Sequence, residues 1–352
     1  MYLTTLRDLT LWCRTFAWRV SLVRQSAAVV LVPRMSCLVL SQSLRPRLYR
    51  KITDEFGKKT RHAVTGVPDT ALEGDLAPYA ACTMLSPALM EYLDLVSFYD
   101  RKALLKMAGS KVNGLGLSSP GDSACYGLVA RLLSGMTGPL RLAPIINPIE
   151  GCRMPTWSTH ATNLCSYPRI HFLVPALGGV VAQGMEDFSV PGQAGQEPGF
   201  EAAGAALRRG TLSCCNFNRK DAGKSIAVSM FCRGVEQSSV IAKVVEIKTD
   251  RNFQFVDWSP TGFAIWSYKD PKSEAPEVAV LENTTAASSI FSSWLTGMEN
   301  LRESNGQAEQ LVGDVGGEMS ECMENLAAIC KDYEEVGAET CDGEEEDEGE
   351  EY

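Results

Sequence analysis

Residues 251–263 read Arg-Asn-Phe-Gln-Phe-Val-Asp-Trp-Ser-Pro-Thr-Gly-Phe and place a sharp turn between two candidate strands. The spacing of aromatic residues over Phe253–Trp258 predicts a pleated strand whose aromatic side chains enter the core. Pro-Thr-Gly then predicts a turn, because proline and glycine favour the backbone angles that turns need. A second short strand is expected at Phe263–Tyr268. This stretch therefore predicts two strands of a body that also contains helices.

Further β-rich or mixed segments lie upstream, separated by turn residues. They are Ile170–Val174, Ser225–Cys232 and Val240–Ile247. Helices are predicted where apolar residues recur at helical spacing, and a weak helix is expected within Gly192–Gly210. The predicted helices are Leu44–Phe56, Ser123–Met136, Ser288–Leu295 and Met319–Tyr333. The fold class is therefore α/β.

The composition is that of a globular protein with an uneven charge distribution. The chain has 352 residues, 45% apolar and 22% charged, with a net charge of -10. Its length suggests two domains. Basic residues concentrate in residues 1–62 and surplus acid beyond Asp332, which argues against a general nucleic-acid binder. The 12 cysteines are scattered and the 3 histidines lack ligand-like spacing, which favours reduced cytosolic thiols and no zinc site.

The first 32 residues carry several arginines and almost no acid. These are features of a mitochondrial presequence. The apolar run Ala27–Val32 is too short to cross a bilayer, so no membrane partner is expected. We interpret residues 1–40 as an unrelated basic leader that could be helical, with mitochondrial targeting as the alternative.

The last residues of the chain are dominated by glutamate and end in Tyr352. A segment this acidic, with no apolar spacing, cannot bury enough surface to offset its ordering entropy. It should form a disordered anionic tail. Such a tail attracts basic partners at long range, and salt should weaken the attraction.

Several segments resemble alpha-tubulin in the family's order. They are Thr162-Asn-Leu, Tyr167-Pro-Arg-Ile-His-Phe172, residues 251–263, Asn283-Thr-Thr-Ala286, and the tail with Lys331-Asp-Tyr-Glu-Glu-Val-Gly and Glu-Gly-Glu-Glu-Tyr352. The resemblance covers roughly residues 41–352, and it implies a divergent alpha-tubulin whose N-terminal nucleotide-binding part is replaced or missing. It implies a remnant of the nucleotide-binding domain at 41–117, a core helix at 118–138, an intermediate (α+β) domain at 139–282, C-terminal helices at 283–333 and the acidic tail at 334–352.

The resemblance implies GTP and Mg²⁺ as cofactors, but the expected nucleotide contacts are altered. The family's phosphate loop corresponds to Cys37–Ser43, which contains no glycine. Bulky residues there hinder the close backbone approach that glycines allow. The family's base-side asparagine, aromatic residue and second asparagine correspond to Arg101, Asp122 and Tyr126. We therefore expect neither GTP nor Mg²⁺ to be bound in the family manner.

Two further positions concern the nucleotide. Thr70 could match a ribose-side threonine. The glutamate with which the family's alpha subunit activates water corresponds to Thr159, which has no carboxylate to act as a general base. Glu150 is the alternative carboxylate. No catalytic residue is therefore assigned, and the chain is not expected to be an enzyme.

Two motif matches are interpreted as structural. Residues 218–225 resemble a phosphate-binding loop but lack its first glycine and precede a predicted strand, so they are expected to form a hairpin turn. Asn283-Thr-Thr formally matches a glycosylation acceptor, and we interpret Asn283 as a helix cap.

The resemblance implies a structural constituent of the microtubule cytoskeleton, located in the cytoplasm. Its implied partners are beta-tubulin or the microtubule lattice, and, through the tail, microtubule-associated proteins and motors. Tyr352 would be a removable terminal residue, Glu346 a site for added glutamate chains, and Glu350-Glu351-Tyr352 a motif for capture by end-binding domains. The alternatives are a non-polymerising decoy that binds tubulin partners or tail-modifying enzymes, and a GTPase with a rebuilt site.

Overall fold

The computed structural model describes residues 19–23, 28–32, 44–67, 77–109, 117–146, 156–179, 198–207, 213–215, 223–249, 253–259, 262–270, 276–303 and 316–338. The strands are β1 (Arg19–Val23), β2 (Ala28–Val32), β3 (Thr60–Val67), β4 (Leu95–Asp100), β5 (Phe172–Gly178), β6 (Ser225–Arg233), β7 (Phe263–Tyr268) and β8 (Glu277–Thr284). The helices are α1 (Leu44–Phe56), α2 (Ala77–Tyr92), α3 (Arg101–Gly109), α4 (Asp122–Ile146), α5 (Trp157–Leu164), α6 (Pro198–Leu207), α7 (Gln237–Lys248), α8 (Ser288–Glu303) and α9 (Gly316–Gly337).

All of the described strands join one mixed sheet in the order β1-β2-β3-β4-β5-β8-β6-β7. Strands β2 to β5 run parallel to one another, whereas β8 lies antiparallel between β5 and β6. Strand β5 joins the two halves, because its start pairs with β4 through Phe172 and Leu173 and residues 173–178 pair with β8. The architecture is therefore mixed α/β, as the sequence indicated.

Helices cover both faces of this sheet. Alternate residues of β4 enter different clusters, with Phe98 packing under α2, α8 and α9 and Leu95 packing with α3, α4 and α5. A third cluster packs α6 and α7 on β6 and β8, on the face away from α4. The long helix α4 contacts β5, β6, β7 and β8. Two covered faces explain why β4, β5 and β6 are buried over almost their whole length.

Most predicted elements are present, and several helices are longer than expected. Helix α1 has the predicted bounds, α4 extends the predicted Ser123–Met136, and α9 extends the predicted Met319–Tyr333. The weak helix expected within Gly192–Gly210 is α6. Packing against neighbours stabilises the added turns, which propensity alone would not specify.

Two strand predictions were wrong. Residues Val240–Ile247 lie in α7, where Val240, Val244 and Ile247 are buried at helical spacing against α6 and the sheet. Tertiary packing thus outweighs the β-propensity of these residues. Phe253–Trp258 forms only an isolated bridge, between Ser225 and Phe255, and Trp258 lies in a turn with an exposed side chain instead of in the core.

Part of the basic leader also differs from its prediction. We allowed a helix in residues 1–40, but Arg19–Val23 and Ala28–Val32 are strands that form an antiparallel pair. Runs of valine and leucine favour strands, and β2 adds them to the sheet parallel to β3. The targeting hypothesis concerns residues that lie largely outside the described part and stays a prediction.

Candidate functional site

The three positions expected on the base side of a nucleotide lie close together. Arg101 opens α3 directly after β4, and Asp122 opens α4, which packs against α3. The Arg101 guanidinium donates from Nε to Oδ1 of Asp122 at 2.8 Å, and Nη2 lies 2.8 Å from the same oxygen. Tyr126 is one turn further along α4, on the same side as Asp122 and exposed. The resemblance thus names three positions that the structure places at the starts of two packed helices, α3 and α4.

The chemistry of this group differs from that expected for a nucleotide base. An asparagine amide offers both a donor and an acceptor, whereas arginine only donates and aspartate only accepts. Here Arg101 and Asp122 are bonded to each other, with 42% and 58% of their side chains exposed. These residues do not provide the paired donor and acceptor that the family resemblance implies for guanine. We therefore derive no catalytic step from this group.

Thr159 lies in the first turn of α5 and takes part in capping that helix. Its backbone N–H donates to Oγ1 of Thr156, the N-cap residue, at 3.1 Å, and the two hydroxyl oxygens are 2.7 Å apart. The position is the third of the helix, where glutamate often completes a capping box. Thr159 is exposed and its hydroxyl contacts that of Thr156, so in this structure it supports the N-terminal cap of α5.

Several predicted site residues lie outside the described residues. They are Thr70, Glu150, the segment Cys37–Ser43, and the tail residues Glu346, Glu350, Glu351 and Tyr352. Helix α9 ends at Gly337, and Ala338 is the last residue described. These assignments stay predictions.

Asn283 is not the helix cap that we expected. It is a fully buried residue of β8, and its Nδ2 donates to the carbonyl oxygens of Leu164 at 2.8 Å and Ile170 at 2.9 Å. The next residue, Thr284, is the N-cap of a short 3-10 helix, Thr285–Ala287, and its hydroxyl accepts from the N–H of Ala286. A buried amide that makes these bonds ties α5 and the start of β5 to β8, and it is inaccessible to glycosylation in the folded chain.

Two buried histidines form a polar group that sequence analysis missed. The ring centroid of His62 in β3 lies 5.4 Å from that of Trp157, and the ring centroid of His160 in α5 lies 5.5 Å from the same Trp157 ring. Burial lowers the pKa of His62 to about 3, with a further contribution from His160, and burial lowers the pKa of His160 to about 4. Within the described part of the chain, neither ring nitrogen of His160 has a hydrogen-bond partner. Both histidines are therefore neutral in the folded protein.

The described residues also limit metal and membrane interpretations. They contain no cluster of three or more histidine, cysteine, aspartate or glutamate side chains that could hold a metal ion. The described cysteines are free, and all but Cys165 are buried. In the same part of the chain, none of the helices has the length and apolarity required to span a membrane.

The comparison with protein families concerns the second half of the chain. Residues 207–296 match the family model of the tubulin C-terminal domain. The match begins at the last residue of α6, includes β6, α7, β7 and β8, and ends within α8. It supports a tubulin-family protein. The tubulin match includes the stretch with which the sequence analysis began, but not Arg101, Asp122 or Thr159.

Proposed function

We propose that this chain is an alpha-tubulin-like structural constituent of the microtubule cytoskeleton that does not use GTP in the family manner. The observation that carries the structural role is the match of residues 207–296 to the tubulin C-terminal domain. The tail sequence adds the alpha-like character, since it ends in Glu-Glu-Tyr352. In this proposal the partners are beta-tubulin or the microtubule lattice, and basic microtubule-associated proteins and motors bind the tail.

The loss of nucleotide binding is supported by three features. Glycines are absent from Cys37–Ser43, Arg101 and Asp122 are bonded to each other, and Thr159 has no carboxylate. The test is to denature the purified protein and measure released guanine nucleotide by chromatography. We expect far less than one nucleotide per chain. Stoichiometric release would overturn this part of the proposal and favour a GTPase with a rebuilt site.

The structural role is tested by co-sedimentation with microtubules assembled from ordinary tubulin. Full-length protein is compared with a variant lacking residues 339–352, at low and raised salt. The deletion starts after Ala338 so that α9 stays whole, because Tyr333 of that helix is buried and its hydroxyl bonds the backbone of Phe172. We expect both proteins to pellet, and raised salt to leave most of the binding intact.

The competing proposal is a decoy that carries the tail without entering the lattice. The stretch Thr296–Gly317, which runs from the second half of α8 to the start of α9, supports it, because its sequence is degenerate where the family has a long helix exposed to motors. A decoy would pellet only as the full-length protein and only at low salt, since screening removes long-range attraction between charges. That outcome would replace the structural proposal.

A further inference from the structure

A surface cleft lies where α9 ends and the acidic tail begins. It has a volume of about 690 Å³ and is formed by the loop before β5, the turn around Trp258 and the last turns of α9. We name it the tail-root cleft and define it by Tyr167, Arg169, Trp258, Asp332, Glu335 and Val336.

The aromatic side of the cleft is unusually exposed. Tyr167 is 50% exposed and Trp258 is 42% exposed, although both are large side chains. Their ring centroids lie 5.6 Å apart at an interplanar angle of 76°. Neighbouring aromatic rings that expose apolar surface can accept a cation over a ring face. The pair is therefore suited to contact a planar cationic group.

The acidic side of the cleft contains two carboxylates, those of Asp332 and Glu335. Asp332 pairs with Arg169, whose Nε is 3.2 Å from Oδ2 of the aspartate. Glu335 lies one turn further along α9 and is exposed, and no ion pair with another described residue engages it. Beyond Ala338 the sequence adds a dense run of glutamates. The local charge therefore favours a positively charged occupant.

The walls of the cleft are held firmly enough to act as a site. The N–H of Ile170 donates to the carbonyl of Tyr167 at 3.1 Å, which closes the turn on one wall. On the other wall, the backbone N–H of Val256 donates to the carbonyl oxygen of Ser225 at 3.0 Å. The backbone N–H of Ser259 donates to the carbonyl oxygen of Val256, also at 3.0 Å. Neither wall has to fold when a ligand binds, which lowers the entropic cost of binding.

From this chemistry we propose that the tail-root cleft binds an arginine side chain of a basic partner segment. The guanidinium stacks on the face of Trp258 beside Tyr167 and pairs with Glu335, while the tail carboxylates steer the segment towards the cleft. Arginine fits better than lysine because its planar group can stack and pair at the same time. The inference rests on the cleft alone and not on the proposed tubulin-like function.

The test measures binding of fluorescein-labelled peptides to the full-length protein by anisotropy. The probe is a short glycine- and serine-rich peptide with central arginines, and its matched twins carry lysine or uncharged citrulline instead. We expect the arginine peptide to bind most tightly and the citrulline peptide least tightly. Trp258→Ala should weaken the arginine peptide about tenfold, and Glu335→Gln about threefold, in line with cation–π and exposed ion-pair strengths.

Controls separate the cleft from the tail and from general surface effects. Tyr126→Ala removes an exposed aromatic side chain outside the cleft, and Glu299→Gln neutralises an exposed helical glutamate elsewhere, so neither should alter binding. A full-length variant with Glu346, Glu350 and Glu351 changed to glutamine should bind more slowly but keep its preference for arginine over citrulline. Tyr167→Ala supplies a second cleft variant if Trp258→Ala does not fold.

Three outcomes would overturn the inference. Equal binding of the arginine and citrulline peptides would mean that the cleft takes an uncharged segment. Unchanged binding of the arginine peptide by Trp258→Ala and Glu335→Gln, with binding lost in the tail variant, would assign recognition to the tail alone. A change in the sedimentation coefficient of Trp258→Ala without peptide would mean that a second copy of the chain occupies the cleft.

Discussion

Two arginine–carboxylate pairs, one between strands β6 and β8 and one between helices α3 and α4, differ mainly in their burial. Arg233 and Glu277 lie opposite each other on β6 and β8, with 2.6 Å between Nη2 and Oε2 and exposures of 15% and 5%. Arg101 and Asp122 are 2.8 Å apart but exposed by 42% and 58%. The first pair lies inside the region matched to the tubulin C-terminal domain, and the second lies outside it.

The difference shows where sequence change is tolerated in this fold. A buried ion pair that loses one partner leaves a desolvated charge, so both positions are constrained. An exposed pair exchanges its partner for water at little cost. The strands and helices around the exposed pair can therefore stay the same while the residues of that pair change.

The largest effect should come from breaking the buried pair. Arg233→Met should lower the free energy of unfolding by about 3 kcal/mol, because Glu277 then remains buried without its partner. Burial already raises the pKa of Glu277, against the opposing effect of Arg233 and Arg131. Urea unfolding followed by circular dichroism would measure the loss. A change as small as that of an exposed pair would contradict the importance of burial.

Acidification should have the next largest effect, through His62 and His160. Both are neutral in the folded protein, with pKa values lowered to about 3 and about 4 from the ordinary 6.5. The unfolded chain binds protons first as the pH falls, so their contribution is fully present above pH 6.5 and decreases below it. Between about pH 7.5 and about pH 5.5 we expect a loss of about 1–3 kcal/mol.

A matched variant isolates the histidine contribution from that of the carboxylates. His160→Phe places an apolar ring among Trp157, Phe231 and Trp266, all of which contact the histidine ring. Urea unfolding at the two pH values should show a shallower pH dependence for this variant. If wild type and variant lose equal stability on acidification, His160 does not bind a proton on unfolding in this range.

Breaking the exposed pair should have a small effect. Arg101→Met should change the free energy of unfolding by less than about 1 kcal/mol, and raised salt should shrink the difference further. The measurement is the same urea titration at two salt concentrations, with Arg233→Met as the reference. A loss comparable to that of Arg233→Met would show that Arg101 supports the core.

The smallest effect is expected for Thr159→Glu. Glutamate at this position can reach back to the N–H of the N-cap residue Thr156, and its charge suits a helix N-terminus. We expect a gain of no more than about 1 kcal/mol in the free energy of unfolding. Thr159→Gln is the control, since it keeps the shape but not the charge. A marked loss of stability would show that the threonine pair matters for more than capping.

Much of the fold could be predicted because local pattern and tertiary packing agree. The bounds of α1 and the position of β6 follow from apolar spacing and turn residues. The prediction failed for Val240–Ile247, whose β-branched residues also fit a helix with one buried face. It failed again at Trp258, because alternation does not reveal whether neighbouring chain covers a side chain.

The candidate sites also include some positions that the sequence named and others that only the structure revealed. The resemblance supplied the positions Arg101 and Asp122, but only the packing of α3 against α4 shows that the two side chains form an ion pair. The tail-root cleft and the histidine pair were missed. Trp258 and Tyr167 are 91 positions apart, from residue 167 to residue 258, so no local pattern links them.

The sequence by itself determined the α/β class, the acidic tail, the absence of glycine from Cys37–Ser43 and the absence of a carboxylate at Thr159. These are properties of residue type and local spacing. Only the tertiary structure decided which ion pair is buried, which histidines stay neutral and which aromatic residues remain exposed. The reason is physical, since burial depends on segments distant in sequence, and burial sets both the cost of a charge and the surface open to a partner.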